Sequence, residues 1–172
     1  MINISSFSGL SICVFGLGRS GLSSALALKN SGGFVSVWDD SESARMQALK
    51  AGLELVDLYK ADWSAFSALV LSPGVALNHP VPHVIVQRAR ENGIKIIGDI
   101  ELLARSNLEA RVIGVTGTNG KSTTTALIGH LLYNAGHNVQ VGGNFGVPVL
   151  DLEPMDELGS YVLEMSSYQL DL

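Results

Sequence analysis

The sequence predicts an α/β protein: a Rossmann-like parallel-sheet N-terminal domain followed by the first part of a P-loop ATPase-type α/β domain. Three observations carry this. Short apolar runs alternate with helical patterns from the N-terminus through Ile97, the signature of a parallel sheet built from right-handed crossovers. A glycine turn, Gly16-Leu17-Gly18-Arg19-Ser20-Gly21, follows the first apolar run and opens the first helical one. A second glycine turn, Gly114-Val115-Thr116-Gly117-Thr118-Asn119-Gly120-Lys121-Ser122-Thr123, stands between another apolar run and another helical pattern.

The strands expected in the first unit are Ser11–Phe15, Phe34–Trp38, Leu53–Val56, Ala68–Leu71 and Ile94–Ile97. The helices expected between them are Arg19–Asn30, Glu42–Ala51 and Val81–Asn92. Leu22, Ala25, Leu26 and Lys29 recur at spacings of three and four and predict the sheet-facing stripe of the first helix. Gly32, Gly52 and Gly93 stand where left-handed helix caps belong. Pro80 and Pro82 suit the entry to the third helix, where a missing N–H is harmless. A short helix over Asp99–Ser106 then leads to a hinge around Asn107–Ala110. The expected domains are therefore 1–98 and 111–172, with 99–110 as connector.

The second unit begins with a strand at Arg111–Val115, followed by a helix over Ser122–Ala135 capped by Gly136. A strand at Asn138–Val141, a glycine-rich loop through Pro148, a strand at Tyr161–Met165 and the first turns of a helix complete it. Only 62 residues run from Arg111 to Leu172, too few to cover both faces of a P-loop sheet. The expectation is that the chain is a fragment.

Composition narrows the function classes. Hydrophobic residues make up 47% of the chain, enough for a buried core. A net charge of −5 argues against a nucleic-acid partner, because phosphate neutralisation needs a basic face. No apolar stretch approaches membrane-spanning length. The lone cysteine, Cys13, sits in an apolar run and reads as a core residue, which fits a reducing compartment. The reading is a cytoplasmic protein without a membrane partner.

The second glycine turn carries the strongest chemistry. Its glycines let successive N–H groups curl toward one anion, the helix N-terminus adds its positive dipole end, and Lys121 adds a full charge. The Ser122 hydroxyl can ligate Mg²⁺. Gly117, Thr118, Asn119, Gly120, Lys121, Ser122 and Thr123 are the expected ATP contacts, with Lys121 as the catalytic residue. The loop is a variant with one more residue between its outer glycines, Gly114 and Gly120, than the commonest pattern. The competing reading is a tight strand-to-helix turn with an incidental lysine. Glu164 ends an apolar strand of the same sheet, where a carboxylate meets the loop's magnesium. A carboxylate in so apolar a run is costly to bury without a partner.

The first glycine turn reads as a nucleotide fingerprint, with Asp39 ending the next strand where an acid commonly accepts bonds from a nucleotide. A close-packed turn plus a helix-capping acid is the alternative. Ser72, Pro73 and Gly74 leave the fourth strand on the same carboxyl edge, where ligands of open parallel sheets bind. Asn144 between glycines reads, from its type alone, as a turn residue. His130 and His137 read as surface residues near the end of the loop helix.

The run Gly114 to Thr125 resembles the ATP loop of the Mur ligases and folylpolyglutamate synthases. Gly142-Gly-Asn-Phe-Gly, Val162-Leu-Glu-Met-Ser-Ser-Tyr-Gln-Leu, the N-terminal Gly-Leu-Gly-Arg-Ser-Gly and Leu71-Ser-Pro-Gly-Val are similar to the Mur ligase branch that attaches D-glutamate. The resemblance spans essentially the whole chain. It implies that the first domain binds the UDP of UDP-N-acetylmuramoyl-L-alanine, with Gly18, Arg19, Ser20 and Gly21 at the diphosphate. It places Asp39 at the uracil–ribose end, Ser72, Pro73 and Gly74 at the substrate's middle, and Asn144 reaching across from the second domain. ATP and Mg²⁺ are the implied cofactors, with Ser122 and Glu164 as metal ligands.

The implied reaction is ATP-dependent amide-bond formation through an acyl phosphate, with D-glutamate bound outside this chain and the full-length enzyme a monomer. A later histidine, a carbamylated lysine and a C-terminal domain are also implied beyond Leu172, so the chain alone is expected to be inactive. Three rivals remain open at this point. They are an NAD-binding oxidoreductase, a non-catalytic nucleotide-binding module, and a sister ligase acting on another amino acid or on folate.

Overall fold

The computed structural model describes residues 1–106 and 109–172. Asn107 and Leu108, part of the expected hinge, lie outside the described residues. Two parallel sheets stand side by side. The first comprises β1 (Ser11–Phe15), β2 (Phe34–Trp38), β3 (Glu54–Leu55), β4 (Ala68–Leu71) and β5 (Lys95–Ile97) in the order β3-β2-β1-β4-β5. Every pairing is parallel, with Ser11 opposite Phe34 and Ile12 opposite Ala68. The chain winds outward from β1 to β3 and then crosses to β4, so the order reverses between β1 and β4. Ligands of such sheets bind at that reversal, beyond the strands' carboxyl ends. Gly16 and Ser72 leave the sheet there, with the Ser72 N–H donating to Phe15 O at 3.0 Å.

The helices are α1 (Arg19–Asn30), α2 (Glu42–Lys50), α3 (Val84–Glu91), α4 (Asp99–Ala104), α5 (Lys121–Asn134) and α6 (Ser167–Leu170). Several other expected bounds move by one or two residues, as where the strand expected at Asn138–Val141 spans Val139–Gly143, and two expectations shift further. Helix α3 starts at Val84 rather than Val81, because the His83 side chain caps it by accepting the Ile85 N–H at 3.3 Å. Val81 stays outside with Pro80 and Pro82, because a proline disfavours the helical conformation in the residue before it. Helix α1 departs from its expected stripe: of Leu22, Ala25, Leu26 and Lys29 only Ala25 is buried, Leu22 and Leu26 are half-buried and Lys29 is exposed, while Gly21, Ser23, Ser24, Ala27 and Leu28 are buried as well. The reason is a second neighbour. The 3₁₀ turn Val149–Asp151 of the second unit packs along α1, and Ser23 Oγ donates to Asp151 Oδ1 at 2.8 Å.

The second sheet contains β6 (Arg111–Val115), β7 (Val139–Gly143) and β8 (Ser160–Glu164) in the order β6-β8-β7, all parallel. Central β8 is buried throughout. Helix α5 covers one face, and the turn Val149–Asp151 lies toward the first unit. Leu150, Tyr161 and Leu163 join Ile12, Val14 and Leu28 in one continuous apolar cluster, so the two sheets share a core. Cys13 is fully buried on the opposite face of the first sheet, and burial raises its thiol pKa to about 12. Among the described residues no helix is long and apolar enough to cross a membrane.

Candidate functional site

The first glycine turn is set by close packing. Gly21 is buried behind the turn, and a Cβ there would run into the Gly16 carbonyl oxygen. It therefore shapes the turn from behind and, unlike Gly18, Arg19 and Ser20, does not line the groove in front. This differs from the expectation of direct contact. Asp39 ties the turn to the end of β2. One carboxylate oxygen accepts the Leu17 N–H at 2.5 Å and the other accepts the Ser41 N–H at 2.7 Å.

In front of this turn lies a groove of about 410 Å³ at the sheet's reversal point. Gly18, Arg19, Ser20, Asp39, Ser72, Pro73 and Gly74 form its wall on the first unit, and Asn144 stands on the second. Every residue expected at the sugar nucleotide except Gly21 thus meets in one place. The sequence reading omitted Gly16, Val75, Gly143, Pro148 and Gln169, which also line it. Gly16 was legible as the first residue of the first glycine turn, and Gly143 as a member of the glycine-rich stretch Gly142–Gly146. Gln169 carried no signal of its own, because only packing turns that helix toward the groove. Arg19 also donates to Gly146 O, so the guanidinium bridges the two units across the groove. A neighbouring groove of about 420 Å³ shares Pro73, Gly74, Val75 and Asn144 and extends to His79, Ser166 and Tyr168.

The second glycine turn is built differently. Gly120 caps α5 in the left-handed region, φ 76°, a conformation that costs other residues roughly 1–2 kcal/mol. Gly117, Thr118, Asn119, Gly120, Ser122 and Thr123 are all exposed. Lys121 Nζ donates to Gly117 O at 2.8 Å, folding the cation over its own loop.

Ser122 Oγ donates to Glu164 Oε2 at 2.5 Å, and Asn144 Nδ2 donates to Glu164 Oε1 at 2.9 Å. Those two bonds, Asn144's first, hold the Glu164 carboxyl below its ordinary pKa and keep it ionised. The Asn144 N–H also donates to Glu164 O at 2.8 Å. The glycine before it is required, since a Cβ on Gly143 would overlap the Glu164 backbone. Asn144 therefore has one side on the groove and the other on the carboxylate. Ser122 and Glu164 present hard oxygens at a helix N-terminus, beside a loop shaped for phosphate. That donor set fits Mg²⁺, which takes one or two protein oxygens and completes its shell with phosphate and water.

Comparison with known proteins settles the lineage. Residues 10–98 match the model for the Mur ligase MurD-like N-terminal domain, and residues 115–172 match that for the Mur ligase middle domain. The chain belongs to the Mur ligase family. It is 53% identical to the UDP-N-acetylmuramoylalanine–D-glutamate ligase of Phenylobacterium zucineum. It is 51% identical to that of Caulobacter vibrioides strain NA1000 / CB15N, and 49% identical to that of Rhizobium meliloti. In each case all of this chain is covered but only 38% of the relative. Within this Mur ligase chain, the two grooves and the first glycine turn lie inside the matched segments, as does the second turn from Val115 onward.

Proposed function

We propose that this chain forms the sugar-nucleotide and ATP-binding part of a ligase that joins D-glutamate to UDP-N-acetylmuramoyl-L-alanine. One observation carries the reading: Asn144, in the groove wall, is linked through Glu164 to Ser122 of the second glycine turn, by bonds of 2.9 and 2.5 Å. A substrate in the groove would then lie beside a nucleotide on α5. The names of the relatives support the substrate assignment. Residues 1–98 would serve as the UDP-substrate domain and 111–172 as the first part of the ATP domain, with 99–110 connecting them.

In this reading Gly18, Arg19 and Ser20 receive the diphosphate, with Gly21 fixing the turn behind them. Asp39 faces the uracil–ribose end, and Ser72, Pro73 and Gly74 face the middle of the substrate. The amides of Gly117 to Thr123 receive the ATP phosphates, and Lys121 swings from Gly117 O to neutralise them. Ser122 and Glu164 would hold Mg²⁺, which when bound offsets charge on the phosphate oxygens. The substrate carboxylate attacks the γ-phosphorus of ATP, its bond to the β-phosphate oxygen breaks, and ADP leaves an acyl phosphate. The amine of D-glutamate then displaces phosphate from the carbonyl. The chain's contribution to the first step is positioning and charge neutralisation.

Calorimetric titration of the chain with UDP-N-acetylmuramoyl-L-alanine and, separately, with NAD tests the reading. Saturable binding of the sugar nucleotide, weakened by Asn144→Ala, is the expected result. Tight binding of NAD in its place would return the groove to an oxidoreductase.

A further inference from the structure

Asp99 opens α4 at the junction between the units, only 4% exposed, and among the described residues no cation pairs with it. Its carboxylate accepts the Ile100 N–H at 2.9 Å and both oxygens accept from Gln169 Nε2, at 3.1 and 3.0 Å. Gln169 comes from the far end of the chain and is 3% exposed. Its Oε1 accepts the Ser166 N–H at 3.0 Å, completing a reciprocal cap on α6. Both ends of the Gln169 amide are therefore committed, and its orientation is dictated by the carboxylate. Behind it, a Cβ on Gly98 would meet Leu172 at 2.9 Å, so Leu172 rests directly on this junction. Gln169 is also a wall of the groove that faces Gly18 and Ser72.

We propose that Asp99 is a positioning residue: by gripping Gln169 it locks α6 to the junction and sets the spacing of the groove's two walls, one from each unit, for the sugar nucleotide. The proposal rests on the function assigned above to the groove. A buried carboxylate without a cation is costly to keep, yet it is the one side chain of its size that accepts from Gln169 and Ile100 together without presenting a donor to either. Asparagine would set one of its own N–H groups against Gln169 Nε2 or the Ile100 N–H. Glutamate at 169 would set two carboxylates face to face. The double exchange Asp99→Asn with Gln169→Glu restores a donor for every acceptor, because the new amide donates to one carboxylate oxygen while Ser166 keeps the other.

The test uses the 172-residue chain, with amide hydrogen exchange over Ser167–Leu170 and calorimetry with UDP-N-acetylmuramoyl-L-alanine and with ATP. Asp99→Asn should speed exchange in α6 and weaken the sugar nucleotide by about tenfold, the scale of one charged hydrogen bond. ATP affinity should stay within about twofold, and the double exchange should return α6 exchange to the wild-type rate. Unchanged exchange in Asp99→Asn overturns the proposal. So does faster exchange with undiminished sugar-nucleotide affinity, or a double exchange that leaves α6 as loose as the single variant. If the wild-type chain binds no sugar nucleotide, the assigned function fails. The exchange data then decide the lock by themselves, upheld by loosening and recovery and overturned by their absence.

Discussion

The two glycine turns solve one problem, presenting backbone amides to an anion, by opposite means. The Gly16–Gly21 turn is held from outside: Gly21 is pressed on Gly16 O, Asp39 bonds the Leu17 N–H, and Ser72 stands beside Gly16. The Gly117–Thr123 turn is held from within, by a left-handed Gly120 and by Lys121 folded on Gly117 O, and its residues face solvent. The first turn is thus a rigid receptor whose shape belongs to the fold. The second is an exposed cradle whose shape belongs to its own backbone and whose strength belongs to one cation. Mutations should therefore act on stability in the first and on ligand binding in the second.

The largest effect should come from the cradle. Lys121→Ala is expected to lower ATP affinity by about a hundredfold, the scale of one preorganised charge contact, while leaving the unfolding midpoint nearly unchanged. A large stability loss without an affinity loss would reverse the contrast.

Next comes the receptor, where two glycines separate shape from contact. Gly21→Ala forces the turn away from Gly16 O and should cost about 1–3 kcal/mol by chemical denaturation. Gly18 has ordinary backbone angles and nothing within 4 Å of a built Cβ. Gly18→Ala should keep stability within about 0.5 kcal/mol and weaken only the sugar nucleotide. Equal stability losses at both positions would break the distinction.

A smaller effect concerns the join between the units. Ser23→Ala removes the bond to Asp151 and should cost about 1 kcal/mol, read as a shift of a single unfolding transition, since the two sheets share a core. Two resolved transitions would show that the units unfold separately.

The smallest effect is a pH slope. Burial raises the Asp99 pKa above its ordinary value, against the lowering effect of the Gln169 bond. Between the ordinary and the raised value the folded state keeps a proton that the unfolded state releases, so stability should fall as pH rises through that window and level off above it. Denaturation across a pH series should lose this slope in Asp99→Asn. Persistence of the slope would assign it to another carboxyl.

Much of the fold was legible because its signals are local. Alternation and turn glycines placed β1, β2, β4 and β6 at their observed bounds. Boundaries slipped where a side chain outranked the backbone signal, as when the His83 cap displaced the prolines at the start of α3. In the candidate site, Lys121, Ser122 and Glu164 could be named from residue type and position, because a phosphate loop needs its cation and hydroxyl at fixed steps from its glycines. Asn144 needed the resemblance, since asparagine between glycines ordinarily marks a turn.

What the sequence determined by itself was the order of strands and helices, the two glycine turns and the residue types that meet phosphate, all encoded within short windows. Tertiary structure alone decided that α1 is buried on two sides, that Gly21 supports the turn from behind, and that Asn144 spans groove and carboxylate. It also decided that Asp99 and Gln169, seventy positions apart, are hydrogen-bonded to each other. Such pairings depend on how two sheets pack, and no local pattern records that angle.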